Sequence, residues 1–182
     1  RQFLSGGVAM DQHFQTAPLD RNMPVMLALC GIWHNQVLGY DTRAVLPYDN
    51  RLGRLPAYLQ QLEMESNGKR VRLDGSDLTR DSAPVIWGEA GTNGQHAFYQ
   101  MLHQGTRVVP CEFLIAARGH EPALTHPHDL PVAHCLAQPA ALLLGRDALV
   151  AHRAFPGNRP PTTLASHCLP PCTLGPIIAP HE

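Results

Sequence analysis

Trp87-Gly88-Glu89-Ala90-Gly91-Thr92-Asn93-Gly94-Gln95-His96-Ala97-Phe98-Tyr99-Gln100 is the stretch on which the fold turns. It continues a short apolar run, Ala83-Pro84-Val85-Ile86-Trp87, of the length expected of a buried strand. Gly91 to Gly94 then turn the chain, and a helix over about 93–104 follows, presenting Phe98, Met101 and Leu102 to a core. Residues 108–117 read as a second strand, opened by the β-branched Val108 and Val109. Strand, helix and strand in this order predict an α/β fold, a parallel sheet flanked by helices. Junctions of this kind are where α/β enzymes commonly place catalytic groups.

Upstream, Val25, Met26, Leu29, Cys30, Trp33 and Val37 fall on one helical face, with Asn22 and Pro24 as start signals. Ala44-Val45-Leu46-Pro47-Tyr48 is a short apolar run ending in turn residues, and a second helix starts near Pro56, carries Leu55, Leu59 and Leu62 inward and ends by Asn67-Gly68. The polar residues 69–82 form a connection. Downstream the character changes, because 11 of the 17 prolines lie between Glu121 and Glu182. A proline inside a helix costs about 3 kcal/mol, so either helices are interrupted there or this part of the sequence is damaged or misread.

Fourteen Lys plus Arg against fifteen Asp plus Glu give a net charge of −1, and no block of like charge offers a surface for nucleic acid or an anionic membrane. No apolar run approaches the roughly 20 residues that cross a bilayer, and the start Arg1-Gln2-Phe3-Leu4-Ser5-Gly6-Gly7 does not read as a signal peptide. Cys30, Cys111, Cys135, Cys168 and Cys172 are an odd, scattered set that suits a reducing compartment, and the expected location is the cytoplasm. His126-Pro127-His128, His134-Cys135 and His167-Cys168 with Cys172 match no paired ligand spacing, so no metal site is assigned.

Three side chains stand out for chemistry. Gln61 and Glu65 are four residues apart, which puts them on one helical face near a helix end. Glu65 is a candidate base, with Glu63 and Glu89 as competitors that spacing alone does not eliminate. His96 is placed in the first turn of its helix, where the positive end of the dipole favours a neutral ring able to donate and accept a proton. Gly91 and Gly94 suit a plain tight turn better than an anion cradle.

Together with Met64-Glu65-Ser66-Asn67-Gly68-Lys69, the opening stretch resembles the glucose-6-phosphate isomerase family. Further segments in family order include Met10-Asp11-Gln12-His13-Phe14, Leu46-Pro47-Tyr48-Asp49, His103-Gln104-Gly105-Thr106, Pro110-Cys111-Glu112-Phe113, Leu136-Ala137-Gln138 and Gly157-Asn158-Arg159-Pro160. The resemblance weakens after about Gly119, and Ala90 stands where the family usually has proline. It implies a partial chain, residues 1–182, covering mainly the second sugar-isomerase domain of a three-layer sandwich, with residues 120–182 proline-rich and divergent.

The resemblance also implies roles. Glucose 6-phosphate and fructose 6-phosphate interconvert through an enediol, with Glu65 as the base that shuttles the proton, Gln61 contacting substrate and His96 helping to open the sugar ring from a neighbouring subunit of a homodimer. The only small-molecule partner implied is the sugar phosphate, and no cofactor is implied. The family's phosphate-holding loops and enediolate-stabilising Arg precede the region matching Arg1, and a further catalytic Lys lies beyond the region matching Glu182. The chain by itself is therefore expected to be nearly inactive. The alternative reading is a non-catalytic sugar-phosphate-binding or structural module of the same fold.

Overall fold

In the computed structural model, which describes residues 1–121 and 125–181, four strands form one parallel sheet. β1 (Thr42–Pro47) is central: Ala44, Val45 and Leu46 have no exposed surface, the mark of a strand covered on both faces. β2 (Val85–Trp87) pairs with one side of β1, aligning Ile86 with Arg43. β3 (Cys111–Ala116) pairs with the other side, and β4 (Pro161–Ser166) lies outside β3, giving the order β2-β1-β3-β4. The chain leaves β1 for one edge and returns to the opposite side of the same strand, so the order reverses at β1.

Alternation along the strands sorts the core into two layers. On one face Ala44, Leu46, Cys111, Phe113 and Ile115 pack with Tyr99 and Leu102 of α5 (Tyr99–Gln104) and with Cys135 and Leu142 of α6 (Thr125–Leu144). On the other, Val45, Ile86, Leu114 and Ala116 pack with Leu55 and Leu59 of α3 (Leu55–Leu59) and with Leu174 and Ile177 of α7 (Pro171–Ile178). The three-layer α/β arrangement expected from the sequence is present. Burial on the first face pushes the Cys111 and Cys135 thiols up to about 12.

Helix α1 (Gln2–Thr16) is not among the elements expected from the sequence; it lies against α7, burying Gly6, Met10 and Gly175. The expected α2 (Met23–Ile32) is present and is capped by the Asn22 side chain, which accepts from the Val25 N–H. It continues as a π-helical turn, Trp33–Val37, and its apolar stripe stays outside: Met26, Leu29, Trp33 and Val37 are all exposed.

The single helix expected over 93–104 is two helices, α4 (Gly91–Ala97) and α5, broken at Phe98, whose φ of −143° is not helical. The break lets the Phe98 ring meet Trp87 edge-on at 4.9 Å while Tyr99 turns inward; Met101, expected inside, is exposed. Gly91 and Gly94 accordingly lie within α4 rather than in a turn before it. A Cβ on Gly91 would collide with the Tyr48 ring, so close packing requires glycine there.

The prolines do not interrupt the helices as expected. Pro131 and Pro139 lie inside α6 and Pro176 inside α7. Each proline removes one backbone hydrogen bond, and around Pro139 the burial of Cys135 and Leu142 offsets that loss.

Candidate functional site

The helix that starts at α3 is not α-helical throughout. From Gln60 to Glu65 it widens into a π-helical turn, a form that recurs at functional sites. One side of this turn faces the free edge of β2. The Gln60 side-chain amide donates to the Ile86 carbonyl at 2.9 Å, the Ile86 N–H donates to Met64 Sδ at 3.3 Å, and Glu63 pairs with Arg43 of β1 at 2.8 Å. Gln60 and Met64 reach the sheet edge while staying exposed, and Gln61 and Glu65 are exposed as well. The sequence-derived pair is thus brought together on one helical turn. Among the described residues the Glu65 carboxylate has no partner, whereas its backbone carbonyl accepts a hydrogen bond from Lys69 Nζ at 2.5 Å.

Of the competitors, Glu63 is committed to Arg43, and Glu89 is exposed in the loop after β2. Beside the π turn opens a cavity of about 290 Å³ lined by Arg43, Glu63, Asn67, Ser82 and His181, among others. A larger apolar cavity of about 440 Å³ lies among α1, α7, β3 and β4, and neither Glu65 nor His96 lines it.

His96 is elsewhere. It is exposed in the last turn of α4, not the first, because the helix begins at Gly91. α4 is anchored by its neighbour Gln95, whose amide nitrogen donates to the Tyr48 hydroxyl at 2.7 Å and whose carbonyl oxygen lies 3.2 Å from His134 Nδ1. Burial raises the Tyr48 hydroxyl above the ordinary phenol value and drives that of Tyr99 well above it.

The structure therefore separates the two candidate catalytic residues. Glu65 follows a helix packed on the α3 face of the sheet, level with the start of β1 and β2, where Arg43 and Ile86 sit. His96 belongs to the opposite face, held to Tyr48 just past the end of β1.

A second polar cluster has no counterpart among the residues singled out from the sequence. Glu112, on β3, and His181, in the 3-10 turn Ala179–His181 after α7, are each about 4 % exposed and form a 2.8 Å ion pair. Burial raises the Glu112 carboxyl, but the hydrogen bond from His181, its charge and that of Arg43 bring it below the usual range. Burial lowers His181, and its bond to Glu112 more than reverses this. The only sequence signal is the acidic residue in an otherwise apolar strand, Cys111-Glu112-Phe113.

Among the described residues no three His, Cys, Asp or Glu side chains come together to hold a metal ion, and no helix is long and apolar enough to cross a membrane. The His126-Pro127 side chains and Glu182 lie outside the described residues.

The sequence model of the family described as phosphoglucose isomerase matches residues 1–182. The glucose-6-phosphate isomerase of Jannaschia sp. (strain CCS1) is 63% identical over 201 aligned positions, covering 100% of this chain and 37% of that protein. That of Cereibacter sphaeroides (strain ATCC 17025) is 62% identical over 199 positions, covering 99% and 37%. The chain thus spans little more than a third of these relatives. The crystal structure of a glucose-6-phosphate isomerase from Chlamydia trachomatis superposes over 100% of this chain and 36% of its own, with a TM-score of 0.92 at 37% identity. A hypothetical protein from Thermus thermophilus, with a TM-score of 0.74 at 20% identity, shares the fold.

Proposed function

The chain belongs to the phosphoglucose isomerase family, and we propose that it supplies the proton-moving part of an enzyme interconverting glucose 6-phosphate and fructose 6-phosphate. The observation that carries this reading is the tethered π turn, which leaves both Glu65 and Gln61 exposed. In the open-chain sugar Glu65 takes the proton from C2, the electron pair of that bond forms the enediol, and the same carboxyl returns the proton to C1. A hydroxyl proton moves between the two oxygens in compensation. Nothing is oxidised or reduced overall, so the reaction calls for no redox cofactor. Gln61 holds a substrate hydroxyl or carbonyl oxygen beside the base.

His96 takes part in opening the sugar ring, and it does so in the site of a neighbouring subunit. The reading is supported by the packing of the helices that carry them, α4 held to Tyr48 of one face of the sheet and α3 on the other. A homodimer is the simplest assembly that supplies both to one substrate. The chain corresponds mainly to the second sugar-isomerase domain, its last third being divergent, and it works in the cytoplasm in glycolysis and gluconeogenesis. The groups that hold the phosphate and stabilise the enediolate come from the remaining two thirds of a polypeptide the length of the relatives.

A coupled assay with fructose 6-phosphate tests the proposal. A full-length polypeptide carrying these residues is expected to turn over, and the 182-residue chain to give less than about a thousandth of that rate, since positioning and charge stabilisation dominate such barriers. An absence of isomerisation by the full-length protein would overturn it.

A further inference from the structure

Three of the six residues in the π turn are fastened to the sheet: Gln60 and Met64 to the free edge of β2, and Glu63 to Arg43 on the central strand. The two edge contacts satisfy the outward N–H and carbonyl of Ile86, which an edge strand would otherwise leave open. The Arg43–Glu63 pair is different. It places a guanidinium largely out of water, with the pair's side chains 17% and 24% exposed, and it leaves Arg43 Nε buried without a partner among the described residues. An unsatisfied buried donor costs free energy, which surface pairing at the same helix would avoid.

Resting on the proposed isomerase function, we infer that Arg43 is a positioning residue that acts through Glu63. The ion pair fixes the π turn in rotation about its axis, so that Glu65, two residues on, is held at the two sugar carbons between which it carries the proton. The neutral tethers at Gln60 and Met64 set the height of the turn on the sheet edge. Glu63 is the tether nearest the base on the central-strand side, and Arg43 keeps it there because its own backbone is paired with Ile86 of β2. A base displaced by an ångström still sits near substrate but passes the proton between carbons less efficiently, and such misplacement costs on the order of 100-fold in rate.

Two measurements decide it. In the 182-residue chain, amide hydrogen exchange is followed in Arg43→Met and, as a charge-retaining control, Arg43→Lys. Residues 60–67 are expected to exchange at least about tenfold faster in Arg43→Met, with residues 111–116 unchanged and Arg43→Lys in between. In the full-length enzyme, turnover in deuterated water reports how often the carried proton is lost to solvent. Arg43→Met and Glu63→Gln are each expected to lower kcat about 10- to 100-fold with KM within about threefold, and to raise deuterium uptake per turnover at least about threefold; combining them adds little further. Unchanged exchange in residues 60–67, or a fall in kcat without greater deuterium uptake, overturns the inference. If the unsubstituted full-length protein does not isomerise, the function fails while the exchange experiment still judges the tether.

Discussion

The Tyr48 hydroxyl lies 3.1 Å from that of Tyr99 and accepts a hydrogen bond from Gln95, so one phenol at the end of β1 joins both helices of the broken segment that carries His96. Tyr48→Phe removes both contacts without opening a cavity. Thermal unfolding should show a loss of about 1–2 kcal/mol, and in the full-length enzyme the variant should open the sugar ring more slowly while proton exchange from the open-chain substrate is preserved.

Gly91 tests the same junction sterically. Its Cα packs on the Tyr48 ring, and Gly91→Ala places a methyl group inside that ring's van der Waals surface. Although alanine is the better helix former, the substitution should destabilise the fold by about 1–3 kcal/mol in chemical denaturation. Gly91→Ala with Tyr48→Leu should recover part of the loss.

The Glu112–His181 pair sets a window of pH. His181 is raised from 6.5, so its contribution is complete below that value and disappears as pH climbs through the folded value. Glu112 is lowered from 4.5, so its contribution is complete above that value and disappears as pH falls through the folded one. Stability from the pair is therefore greatest between about 4.5 and 6.5 and declines on both sides. Glu112→Gln should flatten the profile of melting temperature against pH and lower its maximum; breaking a buried pair typically costs about 3–5 kcal/mol.

Glu65 is exposed and unpartnered among the described residues, so its replacement should leave the fold alone. In the full-length enzyme Glu65→Gln is expected to lower kcat by at least about 10²- to 10⁴-fold with the melting temperature unchanged. Glu89→Gln, at the competing carboxylate, should leave kcat within about threefold.

How far the sequence speaks depends on which physical signal each element carries. The central strand is legible because Ala44, Val45 and Leu46 are buried on both faces and leave a continuous apolar run. Helix α1 is not, since it buries Gly6 and Met10 and exposes Phe3, Leu4, Val8 and Phe14, so no apolar face emerges from its periodicity. The proline-bearing α6 misleads for the opposite reason: local cost is visible in sequence, whereas the burial of Cys135 and Leu142 that offsets it is tertiary. Gln61 and Glu65 are legible as a pair through their spacing and the Met64-to-Lys69 motif, but a widening of the helix over six residues leaves no periodic mark. His96 is legible as a residue yet displaced by one turn from its expected place, because the helix starts at Gly91. Its separation from Glu65 follows from which face each crossover takes, which strand and helix order alone does not reveal.

That separation is the centre of the account, and subunit complementation tests it most directly. Full-length Glu65→Gln and His96→Asn polypeptides, each inactive as a homodimer, are co-expressed with different tags and the heterodimer is purified. If Glu65 of one subunit works with His96 of the other, the heterodimer holds one site with both residues intact and should recover roughly half of the wild-type kcat. A heterodimer no more active than its two parents would contradict the account, placing both residues in a site within one subunit.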